Sequence, residues 1–279
     1  MTLDPDQLGR SKQDLAESLK NLRLQAGLTG VRLARLCSMS QSKVSKIETG
    51  KITPSATDVA SILHAVGAPQ EIISEVTALA RMANTEWQDN RSSWRRGLEK
   101  RQSELATLEA GATELRYFLP SMITALLATP EYIRASLTGR PVDTSKTISK
   151  KIERQAVLYD ESKSFTFILT EQAIRWGIVS AHAMAVQIER LASLSHLPTV
   201  RIGVVPFSVE LPRGPLNTFT VYDDRLATVE TFTGRIVFQD FRDIAQHRQI
   251  FDMYENIAVF DEDCRGHLQE WTAAYRRNT

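Results

Sequence analysis

The sequence predicts an α+β protein in two parts: a small all-α N-terminal domain of five helices and a larger C-terminal domain with a mixed or antiparallel sheet. Three observations lead there. Apolar residues recur at helical spacing through residues 1–83, with no β-rich run among them. Runs such as Phe165-Thr166-Phe167-Ile168-Leu169 and Val200-Arg201-Ile202-Gly203-Val204-Val205 occur only later in the chain. Between the parts, residues 84–100 turn polar and cationic, as a linker does, and place the C-terminal domain at 101–279. A chain of 279 residues is ample for two domains.

In order along the chain, Ser11-Lys12-Gln13-Asp14 has the serine-x-x-acid spacing of a helix start, and Leu15, Leu19, Leu22 and Leu24 follow until Ala26-Gly27 stops the helix. Thr29 caps a second helix that Val31, Leu33, Ala34 and Leu36 can pack inward. Ser40 caps a third, with Val44 and Ile47 on one face. The segment 53–58 opens a fourth, and Ile72, Ile73, Val76, Leu79 and Met82 mark a fifth after the break Gly67-Ala68-Pro69. Past the linker, Leu105, Leu108, Ala112 and Leu115 read as one long helix running to Pro120. Thr129-Pro130-Glu131 starts another, with proline at the first helical position, and residues 144–161 are helical again. The strand-like runs at 165–169, 200–205, 219–222, 227–232 and 236–238 enclose a helix over 180–194, and two helices, 241–260 and 263–276, close the chain.

Composition narrows the class. With 42% hydrophobic and 24% charged residues the chain reads as globular. Net charge is only +1, yet residues 10–53 hold nine Lys/Arg against three Asp/Glu, a basic module on a near-neutral body. The cysteines, Cys37 and Cys264, are far apart and suggest a reducing compartment. No apolar signal core or membrane-length apolar run is present, so a cytoplasmic protein with no membrane partner is expected.

The second and third helices, joined by the tight turn Cys37-Ser38-Met39, have the form of a helix-turn-helix, whose second helix enters the major groove of DNA. With Val44 and Ile47 inward, Gln41, Ser42, Ser45 and Lys46 face outward. Gln41, Ser42 and Lys46 are the candidates for base edges, since glutamine pairs with adenine and lysine with guanine acceptors. Thr29, Arg35, Lys43, Ser45 and Lys51 are the candidates for phosphates, which fix register without reading sequence.

Other chemistry finds little to stand on. The five histidines, His64, His182, His196, His247 and His267, lack ligand spacing, and there is no nucleophile elbow or phosphate loop, so neither enzyme activity, metal nor cofactor is expected. Glu171, Glu230 and Asp240 at strand ends read as surface or structural carboxylates. Trp87 and Trp94 among Arg91, Arg95, Arg96, Lys100 and Arg101 fit either a second nucleic-acid surface or, the favoured reading, indoles that pin the linker. The Pro/Gly-rich loop 208–215 fits a ligand or partner site as well as a plain connection.

On Leu33-Ala34, Ser40-Gln41, Val44-Ser45-Lys46-Ile47-Glu48 and Gly50, the first part resembles the XRE (lambda-repressor and Cro-like) helix-turn-helix domains. Gly30 stands where a glutamine is common in that family, and Ser38 where the turn glycine is usual. The remainder resembles the large C-terminal domain of the WhiJ-like regulators of actinobacteria. The pieces are Thr129-Pro130-Glu131-Tyr132-Ile133-Arg134-Ala135, Arg154-Gln155, Phe167-Ile168-Leu169-Thr170-Glu171, Gln187-Ile188-Glu189-Arg190-Leu191, Pro198-Thr199-Val200-Arg201-Ile202 with Val205-Pro206, and Val229-Glu230. The resemblance implies a transcriptional regulator, often paired with a small opposing protein in an antitoxin-like arrangement.

The expectation is a sequence-specific regulator of transcription, acting as a repressor. It reads double-stranded DNA with helix 41–49, binds as a homodimer and is controlled through residues 101–279. The alternative is an antitoxin-like protein that mainly holds a small protein partner through 101–279.

Overall fold

The structure, a computed structural model, describes residues 11–89, 98–139 and 143–277. Two compact units emerge, Met1–Glu86 with Phe238–Phe241, and Trp87–Val237 with Arg242–Thr279.

The first unit contains α1 (Ser11–Gln25), α2 (Gly30–Leu36), α3 (Gln41–Glu48), α4 (Ala56–Ala65) and α5 (Gln70–Ala83). Helices this short are marginal alone, so tertiary packing must hold them. Their shared core is Leu15, Leu19, Leu33, Ala34, Val44, Ile47, Val59, Ile62, Leu63, Val76 and Ala80. Val31 and Leu36, expected to face inward, are exposed, as is Leu24 at the end of α1. A seven-residue helix makes two turns, and α2 buries only the adjacent pair Leu33 and Ala34. Asn84 fastens the unit's end: its side-chain amide donates to the carbonyls of Pro54 and Ala80, and its own carbonyl accepts from the Gln239 N–H.

The second unit is built on a sheet whose seven strands are β1 (Thr85–Asp89), β2 (Glu114–Leu119), β3 (Ser164–Thr170), β4 (Val200–Val205), β5 (Phe219–Tyr222), β6 (Leu226–Glu230) and β7 (Gly234–Phe238). They lie in the order β1-β7-β6-β5-β2-β3-β4. The sheet is mixed: β2, β3 and β4 are parallel, with Tyr117 opposite Phe167 and Phe167 opposite Ile202, while β5 runs antiparallel to β2 and β6 to β5. The helices are α6 (Leu98–Gly111), α7 (Pro130–Ala135), α8 (Ser145–Arg154), α9 (Glu171–Arg175), α10 (Ala181–Leu194), α11 (Phe241–Glu255) and α12 (Asp261–Arg277). One sheet face buries Leu115, Tyr117, Phe165, Phe167 and Ile202 in a core shared with Ile188 and Leu191 of α10 and Leu268 and Trp271 of α12. On the other face Phe118 stacks on Tyr254 of α11, ring centroids 4.3 Å apart.

Three segments differ from expectation. Thr85–Asp89, read as linker, is a strand. The helix expected to reach Pro120 ends at Gly111, and Glu114–Leu119 is β2. Its Leu-Arg-Tyr-Phe-Leu run suits a strand paired on both sides and covered on both faces. The helix expected over 144–161 ends at Arg154 and passes into a 3-10 turn at Gln155–Tyr159, which buries Leu158; Tyr159, and Ile152 of the helix before it, are exposed.

Buried amides hold the loop that follows β2. Gln187 accepts from the Thr129 N–H at 2.7 Å and donates to the Leu127 carbonyl at 3.0 Å. Gln155 donates to the Ala125 and Ala128 carbonyls, and Arg190 donates to Gln155. Beneath α6, Arg154 grips Glu109 with two nitrogens, Nε at 2.9 Å from Oε2.

Gly234 is where β7 passes closest to its neighbour: a Cβ there would sit 2.5 Å from the Gln88 carbonyl oxygen and 2.7 Å from the Trp87 ring. Gly266, inside α12, has open space around it. Gly234→Ala is therefore expected to lower unfolding free energy by about 1–3 kcal/mol, whereas Gly266→Ala raises it by roughly 1 kcal/mol. Urea denaturation of the two variants checks both signs.

Candidate nucleic-acid interface

Local hydrogen bonding starts each helix of the motif. The Thr29 hydroxyl accepts from the Arg32 N–H at 3.2 Å and the Ser40 hydroxyl from the Lys43 N–H at 3.1 Å, as the sequence predicts for N-caps. Between them the chain turns at Ser38, a non-glycine residue at φ 52°, while the Met39 N–H returns to the Ala34 carbonyl at 2.8 Å. Ser38 thus takes the left-handed conformation that a turn glycine adopts without strain. At the far end of α3, Gly50 lies at φ 67°, and the Lys51 N–H bonds back to the Lys46 carbonyl at 2.9 Å.

Packing then decides which face of α3 is presented. Val44 is 1% exposed and Ile47 0%. Gln41, Ser42, Ser45, Lys46 and Thr49 are exposed and share the opposite face at spacings of one, three and four residues. All three base-edge candidates stand on it together. Ser45, a phosphate candidate, stands among them, while the exposed Thr29 caps α2, the exposed Arg35 lies in its last turn and the exposed Lys51 follows the C-terminus of α3.

Two ion pairs fix α3 in place, and neither was foreseen from the sequence. Arg23 of α1 meets Glu48 as a fork, Nε to Oε1 at 2.6 Å and Nη2 to Oε2 at 3.0 Å, while Nη1 donates to the Leu28 carbonyl at 2.7 Å. Both side chains are largely buried. Nothing local signals this pair, because its members are 25 residues apart. The second is Lys43 Nζ on Asp58 Oδ1 at 2.7 Å. Asp58 also accepts from the Ser55 N–H at 3.1 Å, closing the capping box of α4. The Lys43 ammonium, a phosphate candidate by sequence, is therefore bound within the domain.

In the second unit, the half-exposed Trp87 ring lies beside Gly234; Trp94, Arg91, Arg95 and Arg96 lie outside the described residues. Glu171 accepts from Arg175 and from the Phe207 N–H, both at 2.8 Å, and Glu230 from Arg235 at 2.7 Å. Among the described residues no group of three or more His, Cys, Asp or Glu is placed to hold a metal ion, and no helix is long and apolar enough to cross a membrane.

Comparison with known proteins finds a family match in each part of the chain. Residues 102–270 match a family described as a domain of unknown function, DUF5753, over more than half of the chain. The chain belongs to the DUF5753 family. Residues 14–76 match a helix-turn-helix domain, so this family member carries its DUF5753 region behind a helix-turn-helix. No curated protein matches the chain. Solved structures with some likeness include Nuc from Salmonella typhimurium, a phospholipase D family member (7% identity, TM-score 0.38, 63% of this chain and 97% of that one). NucT from Helicobacter pylori (10%, 0.38, 63% and 98%) and the archaeal chromatin protein TrmBL2 (9%, 0.33, 64% and 53%) are others. Scores this low carry no argument about this protein.

Removing Arg23 would leave the Glu48 carboxylate largely buried and unpaired. Arg23→Ala is expected to cost roughly 3 kcal/mol by thermal or urea unfolding. Asp58 adds a pH dependence. Partial burial pushes its carboxyl up, but the hydrogen bonds from Lys43 and Ser55 outweigh that and hold it below the usual carboxylate range. Its contribution is complete above the unfolded value of about 3.9 and is lost as pH falls through the lower folded value. Acid unfolding of Asp58→Asn should show a shallower loss of stability below that point than the parent.

Proposed function

We propose that this DUF5753 protein is a sequence-specific DNA-binding regulator of transcription, a repressor that reads the major groove with residues 41–49. The observation that carries this reading is the polar face of α3, with Gln41, Ser42, Ser45 and Lys46 all exposed while Val44 and Ile47 are buried behind them. An α-helix fits the major groove, where each base pair shows a distinct pattern of donors and acceptors. Gln41, Ser42 and Lys46 read base edges. Thr29, Arg35, Ser45 and Lys51 hold phosphates, and Lys43 contributes by positioning α3 against Asp58. The domain is of XRE type, and the protein works in the cytoplasm without catalysing a reaction.

One helix-turn-helix covers few base pairs, so the protein acts as a homodimer on two half-sites about 10 base pairs apart. The second unit receives the controlling signal. A partner-holding role of the antitoxin kind is the second reading. It is favoured by the exposed apolar side chains of Trp176 and Ile178, which follow α9, and of Phe207, whose N–H is bonded to Glu171 of the same helix.

The test is selection of fragmented genomic DNA on the full-length protein. Enrichment of a short motif, absent with a Gln41→Ala/Lys46→Ala variant, supports the reading. Enrichment unaffected by the double substitution sinks the role given to α3, and a protein that enriches nothing but co-purifies with a small protein favours the second reading. On the recovered site, Lys46→Ala should narrow the gap between cognate and random duplexes by about 1–3 kcal/mol. Lys51→Ala should weaken both alike and reduce the slope of log K against log salt by about 1. Fluorescence anisotropy across a salt series measures both.

A further inference from the structure

The loop 206–217 covers a pocket on the α11 side of the sheet. Phe118 of β2, Phe219 of β5 and Val229 of β6 form its floor; His247, Ile250 and Tyr254 of α11 line one wall and residues 213–217 the other, around about 100 Å³ of space. A recess of that size has room for about one ring, as an apolar cavity of about 150 Å³ takes benzene, and small-molecule sites are mostly apolar with a few placed polar groups. The floor is already a stack of rings. Phe118 lies 4.3 Å from Tyr254 and 5.2 Å from Phe219, and the His247 ring meets Phe219 edge-on at 5.3 Å. A planar apolar body would extend this arrangement.

Arg213 carries the fixed charge of the lining, beside Asn217, His247 and Tyr254. No acidic side chain lines the pocket, whereas Arg213 stands at its mouth. The Tyr254 hydroxyl donates to the Arg213 main-chain carbonyl, which anchors the loop through its backbone and leaves the guanidinium uncommitted by that contact. Burial pushes the Tyr254 hydroxyl up from its ordinary value, and the charge of Arg213 pulls it down. His247 Nδ1 is 2.7 Å from the Asp243 carbonyl and, facing an acceptor, carries its proton there, which holds the ring in the wall.

We propose that this pocket binds a small organic anion, a planar apolar body with a carboxylate directed at Arg213. The site is separate from the helix-turn-helix, so its occupancy can be read without DNA and stands or falls apart from the proposed function. Phenylacetate is a suitable probe, with phenylacetamide as its neutral isostere. In methyl-labelled full-length protein, phenylacetate should shift the Val229, Leu216 and Ile250 methyl resonances saturably, with a dissociation constant in the millimolar range suited to so small a ligand. The amide should bind roughly tenfold more weakly, for want of a charge-assisted hydrogen bond. Arg213→Ala, on an exposed loop, should lose that preference while keeping the parent's melting temperature and its affinity for the amide, and Arg213→Lys should recover part of it. No saturable shift, shifts centred elsewhere, equal affinity for acid and amide, or an acid affinity unchanged in Arg213→Ala would each overturn the proposal.

Discussion

The burial of Val44 and Ile47 orients everything that α3 can do. An eight-residue helix has too few internal hydrogen bonds to persist in water alone, so its existence and its rotation are both set by what it packs against. Two apolar side chains three residues apart specify one face, and the others must then point outward. With these two in the core of the first unit, Gln41, Ser42, Ser45 and Lys46 have one orientation open to them. The Arg23–Glu48 fork acts along a different direction, tying the last turn of α3 to α1 and to the Leu28 carbonyl. Rotation and tilt are thus fixed by different forces, apolar burial and a largely buried ion pair. A reading helix needs both, because a small misplacement at its base becomes a missed hydrogen bond at the tip of a side chain.

Local chemistry made much of this legible in advance. Thr29, Ser40 and Ser55 cap their helices within three residues, and the apolar spacing of α3 and α4 is regular enough to name the buried faces. Ser38 shows how a backbone demand can outlast a change of residue: the turn needs a left-handed position, and serine occupies it at φ 52°. Interactions across sequence distance left no trace of that kind. Arg23 and Glu48 look like ordinary surface charges until α1 and α3 meet, and Lys43 reads as an outward cation until α4 brings Asp58 beside it. Val31 and Leu36 mislead in the opposite sense, since a short helix with apolar residues on several sides gives no unique inward face.

In the second unit the difficulty was period. Leu105, Leu108, Ala112 and Leu115 fit a helical repeat, and the pattern carries the eye across Gly111 into Glu114–Leu119. That segment is covered on both faces and so lacks the alternation that marks a half-exposed strand. Its neighbour β3 has the same central character but contains Phe, Thr and Ile in closer succession, and was legible for that reason. Resemblance located pieces that composition could not explain, and the structure gives some of them a physical task. Gln155, Gln187 and Arg190 are hydrogen-bonding residues that hold the loop following β2. The recess beside Arg213 had no comparable signature in the sequence, because its aromatic floor is assembled from β2, β5 and α11, far apart along the chain.

The central claim is that α3 reaches base edges from the major groove, and methylation protection tests it most directly. Dimethyl sulfate modifies guanine at N7 in the major groove and adenine at N3 in the minor groove, so one reaction on the bound site reports both. If α3 reads base edges, guanine N7 within the bound site is protected, and the protection is lost in the Gln41→Ala/Lys46→Ala protein. Protection confined to adenine N3, or guanine protection that survives the double substitution, would contradict it.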